Sequence, residues 1–419
     1  MNALILVSLV AALLVLRQPL LVILLAAIAY AQIAWGSGHL TWIIEDMFVS
    51  LDKELILAIP MFMLCGGVMT QGTTAKRLTD VARALVGHLP GGLGVAGIVS
   101  SAIFAAISGS SIVTMLAIGA VLYPAMQEAG YSKRFALGTV VSGGTLGIII
   151  PPSIPLILYG LVTETSIVDL FRAGVGPGLL LVGLFALYSV WANRSMPRQS
   201  FSWPALMVAI KNGFWSLMMP VILLGGIYSG FFSPTEAAAV ALLYAVIIEM
   251  FVHRELVFVD LKGVVFDAAK LGGALFPLIA VALSLNLILI ENRVPDLMLG
   301  FVEGWITSPI TFIIVVNLFL LAIGAFMTTA EAILILGPLL APLAVSFGFD
   351  KIVFGIIMIV NLEIGLLTPP VGLNLIVAMS AFREKFGLLV RAAVPFILLM
   401  ILALGLISFI PEISLFFVR

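Results

Sequence analysis

Two Pro-Pro pairs interrupt long apolar segments of this chain. One lies in the stretch Gly147-Ile-Ile-Ile-Pro151-Pro152-Ser153, and the other lies in Gly365-Leu-Leu-Thr-Pro369-Pro370-Val371. Because proline has no backbone N–H and its ring clashes with the carbonyl four residues earlier, an α-helix cannot continue regularly through either pair. We therefore predict two broken helices, in which the following carbonyls lack helical partners: Gly147, Ile148, Gly365 and Leu366.

The two interrupted stretches are related by an offset of 218 residues. Without any gap, the same offset aligns seven identical pairs, namely Gly119 with Gly337, Pro124 with Pro342, Gly130 with Gly348, Lys133 with Lys351, Gly147 with Gly365, Pro151 with Pro369 and Pro152 with Pro370. The pairs predict that one structural unit occurs twice. Chance alignment within a biased composition is the alternative.

The composition predicts a membrane protein. Hydrophobic residues make up 62% of the 419 positions and charged residues 10%, against ~45–50% and ~25% in soluble domains. The apolar runs are long and do not alternate, which favours α-helices that cross the bilayer many times. At about 20 residues per span, there is room for about eleven to fourteen membrane-crossing or re-entrant elements. Broken segments at corresponding places in two halves indicate a secondary transporter, because unpaired carbonyls in a bilayer must be buried in protein or line a cavity.

Other classes of function are disfavoured. The net charge is −1 and no polybasic tail is present, so nothing suggests a nucleic-acid partner. Cys65 is the single cysteine and cannot form a disulfide within the chain. His39, His88 and His253 are scattered, and we interpret them as interfacial or loop residues. The sequence has neither a phosphate-binding loop with its lysine nor a catalytic set of side chains. We therefore expect no ATP-driven pump, no enzyme and no cofactor.

Two polar tips lie between short apolar arms. The first is Ser108-Gly-Ser-Ser111, between the apolar residues 98–107 and 112–126, and each arm is short for a membrane span. This pattern predicts a re-entrant hairpin; an ordinary tight loop between two thin spans is the alternative. At the 218 offset, Thr328 and Thr329 fall on Ser110 and Ser111 and predict a second tip.

These features suggest a division of the chain. We predict N-terminal scaffold helices in residues 1–90, a first transport repeat in 91–172, central scaffold helices in 173–270, a second transport repeat in 271–382 and a C-terminal helix in 383–419. Residues 3–16 are interpreted as a retained first span, since no positive residue precedes them. Ser233-Pro-Thr-Glu236 predicts a capped helix start.

The tips and breaks offer hydroxyl and carbonyl oxygens, which suit hard cations such as Na⁺. We predict two symmetry-related cation sites. The first consists of Ser108, Ser110, Gly147, Ile150 and Pro152, and the second of Thr328, Thr329, Gly365, Thr368 and Pro370. Helices that restart after each Pro-Pro pair would point their N-termini at an anionic substrate. Proton coupling through Glu331 and Glu363 remains open as an alternative, because intramembrane acids are functional candidates.

Several of these motifs resemble a known family. They are Ser108-Gly-Ser-Ser, Gly143-Gly-Thr-Leu-Gly-Ile-Ile-Ile-Pro-Pro-Ser153, Ser233-Pro-Thr-Glu-Ala-Ala and Asn361-Leu-Glu-Ile-Gly-Leu-Leu-Thr-Pro-Pro-Val-Gly-Leu-Asn374. They look like the large membrane subunit of tripartite ATP-independent periplasmic (TRAP) transporters, and the resemblance covers nearly the whole chain. It implies inverted repeats with two re-entrant hairpins, which form an elevator-type transport domain beside a scaffold.

The resemblance also implies a function. It is Na⁺-coupled import of a carboxylate, such as a C4-dicarboxylate, a keto acid or sialic acid, across a bacterial inner membrane. The implied partners are a periplasmic substrate-binding protein and a small four-helix membrane subunit. The implied sodium ligands are the residues of the two cation sites, and the implied substrate contacts are Ser108, Ser111, Ser153, Thr328 and Glu331. Many relatives have an acid directly after the Met of the second tip, where this chain has Thr328. The alternatives are a proton-coupled transporter that needs no binding protein, and a channel.

Overall fold

The computed structural model describes residues 2–16, 18–36, 41–196 and 200–419, and the regular structure of these residues is helical. Five helices come first: α1 Asn2–Val15, α2 Leu20–Ala34, α3 Thr41–Leu51, α4 Glu54–Gln71 and α5 Thr74–Val86. The next five surround the first tip and the first break: α6 Gly92–Ser108, α7 Ser111–Glu128, α8 Lys133–Ile149, α9 Ile154–Thr163 and α10 Ile167–Ala192.

The second half of the chain begins with four further helices: α11 Trp203–Tyr228, α12 Pro234–Ile247, α13 Phe258–Glu291 and α14 Val294–Glu303. A π-helical segment, Ile248–Val252, extends α12. The last six helices surround the second tip and the second break: α15 Pro309–Gly324, α16 Thr329–Ser346, α17 Lys351–Leu366, α18 Leu373–Phe382, α19 Phe386–Phe409 and α20 Glu412–Leu415.

The length and composition of these helices confirm a polytopic α-helical membrane protein. In the described part of the chain, nine helical segments are long and apolar enough to cross a membrane, and four shorter apolar helices accompany them. The two helices that precede the breaks are almost completely enclosed in protein. Every residue from 135 to 149 in α8 and from 353 to 366 in α17 is buried. Apolar residues lie on all sides of both helices, as expected of helices with no face toward solvent, and buried polar residues such as Thr145 and Glu363 are interspersed among them.

The helix boundaries recur at a fixed spacing. Helix α7 begins at Ser111 and α16 at Thr329, while α8 begins at Lys133 and α17 at Lys351, so both pairs are 218 residues apart. After the second break the spacing becomes 219, because α9 begins at residue 154 and α18 at 373, and α10 begins at 167 and α19 at 386. The second break therefore contains one more residue than the first. The inverted orientation of the repeats and the elevator motion stay predictions.

Short polar residues start the helices of both halves. Ser110, Ser132 and Ser153 cap α7, α8 and α9 through side-chain oxygens that accept backbone N–H groups. Thr328 and Asp350 do the same for α16 and α17. These contacts satisfy N–H groups that the first turn of a helix leaves without partners.

Capping also explains the predicted helix start at Ser233. The hydroxyl of Ser233 accepts from the Glu236 N–H at 3.2 Å, and the Glu236 carboxylate accepts from the Ser233 N–H at 2.8 Å. This reciprocal capping box starts α12 and confirms the prediction.

Three expectations need correction or a limit. The second transport repeat predicted from residue 271 does not begin at a helix start, because residues 260–270 and the residues after them form one helix, α13. His253 directly follows the π-helical segment and lies outside the helices, and its side chain is 3% exposed and lies against Glu249; His39 lies outside the described residues. The boundaries at residues 172 and 270 fall inside α10 and α13, and the division into scaffold and transport units stays a prediction.

An ion pair joins the start of α8 to the turn between α18 and α19. Lys133 Nζ lies 2.7 Å from Glu384 Oε1, and the Tyr123 hydroxyl donates to the same oxygen at 2.8 Å. Burial raises the pKa of Glu384, but the contacts with Lys133 and Tyr123 outweigh it, and the pKa lies below its ordinary value of 4.5. The carboxylate thus stabilises the fold fully above pH 4.5, and this contribution is lost as the pH falls through the lower, folded-state pKa.

We expect Glu384→Gln to remove this pH dependence. Because Lys133 is 51% exposed, the loss of stability at neutral pH should stay below about 1 kcal/mol. Thermal unfolding of the purified protein across the acidic range measures it. The difference between the original protein and the variant should shrink as the pH falls, and a constant difference would contradict the assignment.

Candidate functional site

The first tip is a compact hydroxyl cluster. The Ser108 hydroxyl lies 2.6 Å from the Thr114 hydroxyl and donates to the Ser110 carbonyl at 3.4 Å. Gly109 turns the chain between α6 and α7 with φ +59°, a left-handed conformation that glycine adopts without strain. Ser108 and Ser111 are each 2% exposed. The tip is therefore buried in protein, as a polar turn at membrane depth must be.

The first break packs directly against this tip. A methyl group on Gly147 would overlap the Ser110 carbonyl and would lie 2.5 Å from the Thr114 hydroxyl oxygen. The Ile154 N–H at the start of α9 donates to the Gly109 carbonyl at 3.4 Å. Pro151 and Pro152 have no N–H for the Gly147 and Ile148 carbonyls.

The remaining predicted residues of the first half have different surroundings. Ser153 is fully buried, and its hydroxyl accepts from the Leu156 N–H at the start of α9. The Ile150 side chain packs on Gly178 of α10. Ser108, Ser110, Gly147 and Pro152 thus surround one tip, whereas Ile150 can contribute only its backbone to it.

The second tip uses a threonine and a carboxylate. The Thr328 hydroxyl accepts from the Glu331 N–H at 3.2 Å, and the Glu331 carboxylate accepts from the Thr328 N–H at 2.9 Å. Beside this capping box, the Thr329 hydroxyl donates to Glu363 Oε1 at 3.1 Å. Glu363 is fully buried in α17. A hydrogen bond to this buried carboxylate therefore connects the second tip to the second broken helix.

The second break is closed by a tight turn. The Gly365 carbonyl accepts from the Thr368 N–H at 2.9 Å, and the Thr368 hydroxyl donates to the Ile364 carbonyl at 2.7 Å. The Gly365 carbonyl therefore lacks its regular α-helical donor at position 369, which is a proline, but it has a partner in the tightened last turn before the Pro-Pro pair. A carbonyl oxygen has a second lone pair, so this contact does not prevent it from binding a cation.

The two breaks differ in exposure. Pro151 and Pro152 are buried, whereas Pro369 and Pro370 are exposed and Thr368 is half-buried. Gly365 packs against the backbone of Gly324 at the end of α15. Within the described ranges, no hydrogen bond links Thr328 with Thr368. The second set of predicted ligands is less tightly assembled than the first.

One contact links the two halves of the site. The Ser111 hydroxyl, at the first tip, donates to Asn374 Oδ1 at 3.2 Å, and Asn374 belongs to the helix that restarts after the second break. Asn374 is fully buried. The sequence predicts no role for Asn374 in this pairing and none for Thr114 at the first tip. Neither Asn374 nor Thr114 is at a position that the 218-residue repeat identifies.

The donor atoms fit small ions. Both tips present oxygen ligands, which suit Na⁺ better than soft metals. Nine buried side-chain polar atoms have no hydrogen-bond partner among the described residues, and two of them belong to residues that contact the tips: Glu363 Oε2, an acceptor, and Asn374 Nδ2, a donor. A cation could satisfy the first atom and an anionic oxygen the second, since buried polar groups are seldom left unpaired.

A separate buried acid lies away from the tips. Glu249, in the π-helical segment, is fully buried and accepts from the Thr73 N–H at 3.2 Å, from the Thr74 N–H at 3.1 Å and from the Thr74 hydroxyl. His253 Nδ1 lies 3.2 Å from Glu249 Oε2, the oxygen that also accepts from the Thr73 N–H. The sequence alone could have identified Glu249 as a candidate functional residue, because it is a single acid within an apolar run and such acids are rare.

Comparisons with known proteins agree on one family. The family described as tripartite ATP-independent periplasmic transporter, DctM component, matches residues 7–413. A Pseudomonas aeruginosa protein named C4-dicarboxylate TRAP transporter large permease protein DctM is 42% identical over 88% of this chain and 87% of its own length. The ectoine TRAP transporter large permease protein TeaC of Halomonas elongata is 34% identical over 98% of both chains.

A solved structure supports the fold. The YdaH transporter of Alcanivorax borkumensis superposes with a TM-score of 0.65 over 88% of this chain and 87% of that one, at 15% identity. At this identity the likeness concerns the fold alone. The family match and the relatives together show that this chain belongs to the DctM family of TRAP transporter large permease subunits.

Proposed function

We propose that this chain imports an organic acid across a bacterial inner membrane together with Na⁺, and that a periplasmic binding protein delivers the substrate. The observation that carries the proposal is the packing of each polar tip against a broken helix, Gly147 at the first and Glu363 at the second. Carbonyls and hydroxyls placed together in a protein interior are suited to a desolvated cation.

The charges support coupling. A carboxylate substrate is unfavourable in a low-dielectric interior unless cations accompany it. Cations at the two tips would offset its charge, while the unpaired Asn374 Nδ2 is positioned to donate to a carboxylate oxygen. The first turns of α7 and α16 begin at the tips, and helix N-termini favour anions. Ser108, Ser111, Ser153, Thr328 and Glu331 are the proposed substrate contacts.

The names of the relatives support a choice of substrates for testing. The Pseudomonas aeruginosa relative is named for C4-dicarboxylates and the Halomonas elongata relative for ectoine. C4-dicarboxylates and ectoine should therefore be tested as substrates together with keto acids and sialic acid. The family description calls the transporter tripartite and periplasmic, and the relative is called a large permease protein. These descriptions support the proposal of two partners, a periplasmic binding protein and a small membrane subunit.

Uptake into proteoliposomes tests this proposal. The purified chain and its small subunit would be supplied with radiolabelled carboxylates, with and without an inward Na⁺ gradient and with and without a candidate binding protein. We expect uptake only when both sodium and the binding protein are present. Uptake driven by a proton gradient without a binding protein would overturn the proposed mechanism. Passive flux without either would indicate a channel.

We expect Pro152→Ala to abolish sodium-driven uptake while membrane insertion remains normal. Alanine restores an N–H that can donate to the Ile148 carbonyl, so the break would tend to close into regular helix. Pro204→Ala is the matched control, because Pro204 is exposed in the first turn of α11. Normal uptake by the Pro152 variant would contradict the role given to the broken helix.

A further inference from the structure

The buried carboxylate of Glu363 has only half of its hydrogen-bonding capacity used. Oε1 accepts from the Thr329 hydroxyl at 3.1 Å, whereas Oε2 has no partner among the described residues. None of the ion pairs found in the described part of the chain includes Glu363. A fully buried acid with neither a cation nor a second donor is unfavourable, because burial removes the water that stabilised its charge.

The position of Glu363 places this charge at the second tip. Thr329, its partner, is the first residue of α16, and Gly365, two positions further along α17, packs against Gly324 at the end of α15. The N-terminus of α16 contributes a partial positive charge equivalent to about half an elementary charge. That partial charge compensates the carboxylate incompletely.

The first half has no equivalent acid. At the 218 offset, the counterpart of Glu363 is Thr145, whose hydroxyl donates to the Ser142 carbonyl of its own helix at 2.6 Å. The counterpart of Glu331 is Val113. The first tip is therefore surrounded by neutral oxygens, whereas two carboxylates lie against the first turn of α16 at the second tip.

We propose that the Glu363 carboxylate supplies the counter-charge for the cation at the second tip, so that this site binds Na⁺ more tightly than the neutral first site. The inference rests on the proposed function, and it adds that the two sites are unequal. Oxygen ligands that include a full negative charge attract a cation more strongly than carbonyls and hydroxyls alone.

Thermal unfolding of the full chain with its small subunit tests this without measuring transport. The midpoint temperature would be followed as Na⁺ replaces choline at constant ionic strength, because a ligand that binds the folded state raises it. We expect Glu363→Gln to increase the Na⁺ concentration for half-maximal stabilisation roughly tenfold or more. In the absence of Na⁺, the same variant should unfold at a higher temperature than the original protein, because an uncompensated buried charge has been removed.

Two further variants complete the experiment. Thr145→Val, the matched control in the first half, should leave the sodium dependence unchanged, and Glu363→Asp, which keeps the charge, should shift it less than Gln does. Equal sodium dependence in the original protein and Glu363→Gln would overturn the inference and leave sodium coupling intact. A Gln variant that fails to fold without Na⁺ would also overturn it, because the carboxylate would then stabilise the fold unaided. No stabilisation of the original protein by Na⁺ would count against the proposed function itself.

Discussion

Alanine at Gly147 is expected to reduce sodium-driven uptake roughly tenfold to a hundredfold while the chain still inserts into the membrane. The added methyl group would overlap the Ser110 carbonyl and crowd the Thr114 hydroxyl. Neither group can move freely, because the Ser110 carbonyl also accepts the Thr114 N–H within α7. Overpacking of this kind costs about 1–3 kcal/mol, and here the strain falls on the proposed cation ligands. Uptake and Na⁺ dependence in proteoliposomes measure the effect.

The chain offers an equivalent variant in the second half and a control variant for this experiment. Gly365→Ala should be equally harmful, because its methyl group would overlap the backbone of Gly324. Gly183→Ala should be harmless, since no atom lies within 4 Å of a methyl group built there. If all three variants transported alike, the close approach of breaks and tips would have no functional importance.

Alanine at Glu249 is expected to destabilise the protein by about 3–5 kcal/mol, the usual effect of breaking a buried charged network. The Glu249 carboxylate holds the N–H groups of Thr73 and Thr74 at the start of α5, and it also faces the buried His253. Removing it leaves the buried N–H and hydroxyl groups of Thr74 without this acceptor, and an unsatisfied buried donor is costly. Unfolding in a denaturing detergent, compared with the original protein, measures the loss.

Glu255→Gln is the control for this prediction, because Glu255 is exposed and surface changes of this kind usually stay within about 0.5 kcal/mol. Glu249→Gln should fall between the two variants, since the amide oxygen keeps one acceptor. An alanine variant as stable as the original protein would show that α5 needs no cap from the π-helical segment.

Local chemistry explains what could be predicted from the sequence. Single prolines such as Pro60 and Pro124 lie inside continuous helices here, whereas two adjacent prolines remove two successive N–H donors, so the two breaks follow from the Pro-Pro pairs. Serine and threonine before an apolar run favour helix starts, and the starts at Ser111 and Thr329 lie where the repeat places them. The capping box of Ser233 needs only residues three positions apart.

Contacts between distant residues could not be predicted in this way. Glu249 meets Thr74 across 175 positions, and Ser111 meets Asn374 across 263. Such pairs depend on how whole helices pack, and a single sequence carries no periodicity that marks them. The turn that closes on the Gly365 carbonyl was missed for another reason, because a helix end can tighten without any change of sequence pattern.

The extra residue in the second break shifts by one position the correspondence between the two halves after the Pro-Pro pairs. One residue corresponds to about 100° of helix rotation, so α18 does not present the same face as α9 at equal sequence offset. The counterpart of Ser153 is then Gly372, not Val371, since these two residues precede the restarted helices. The restarted helix of the first half is capped by its own hydroxyl, whereas that of the second half begins at a residue with no side chain. The repeat keeps one spacing of helix starts up to its Pro-Pro pairs, and the way in which the restarted helices begin differs directly after them.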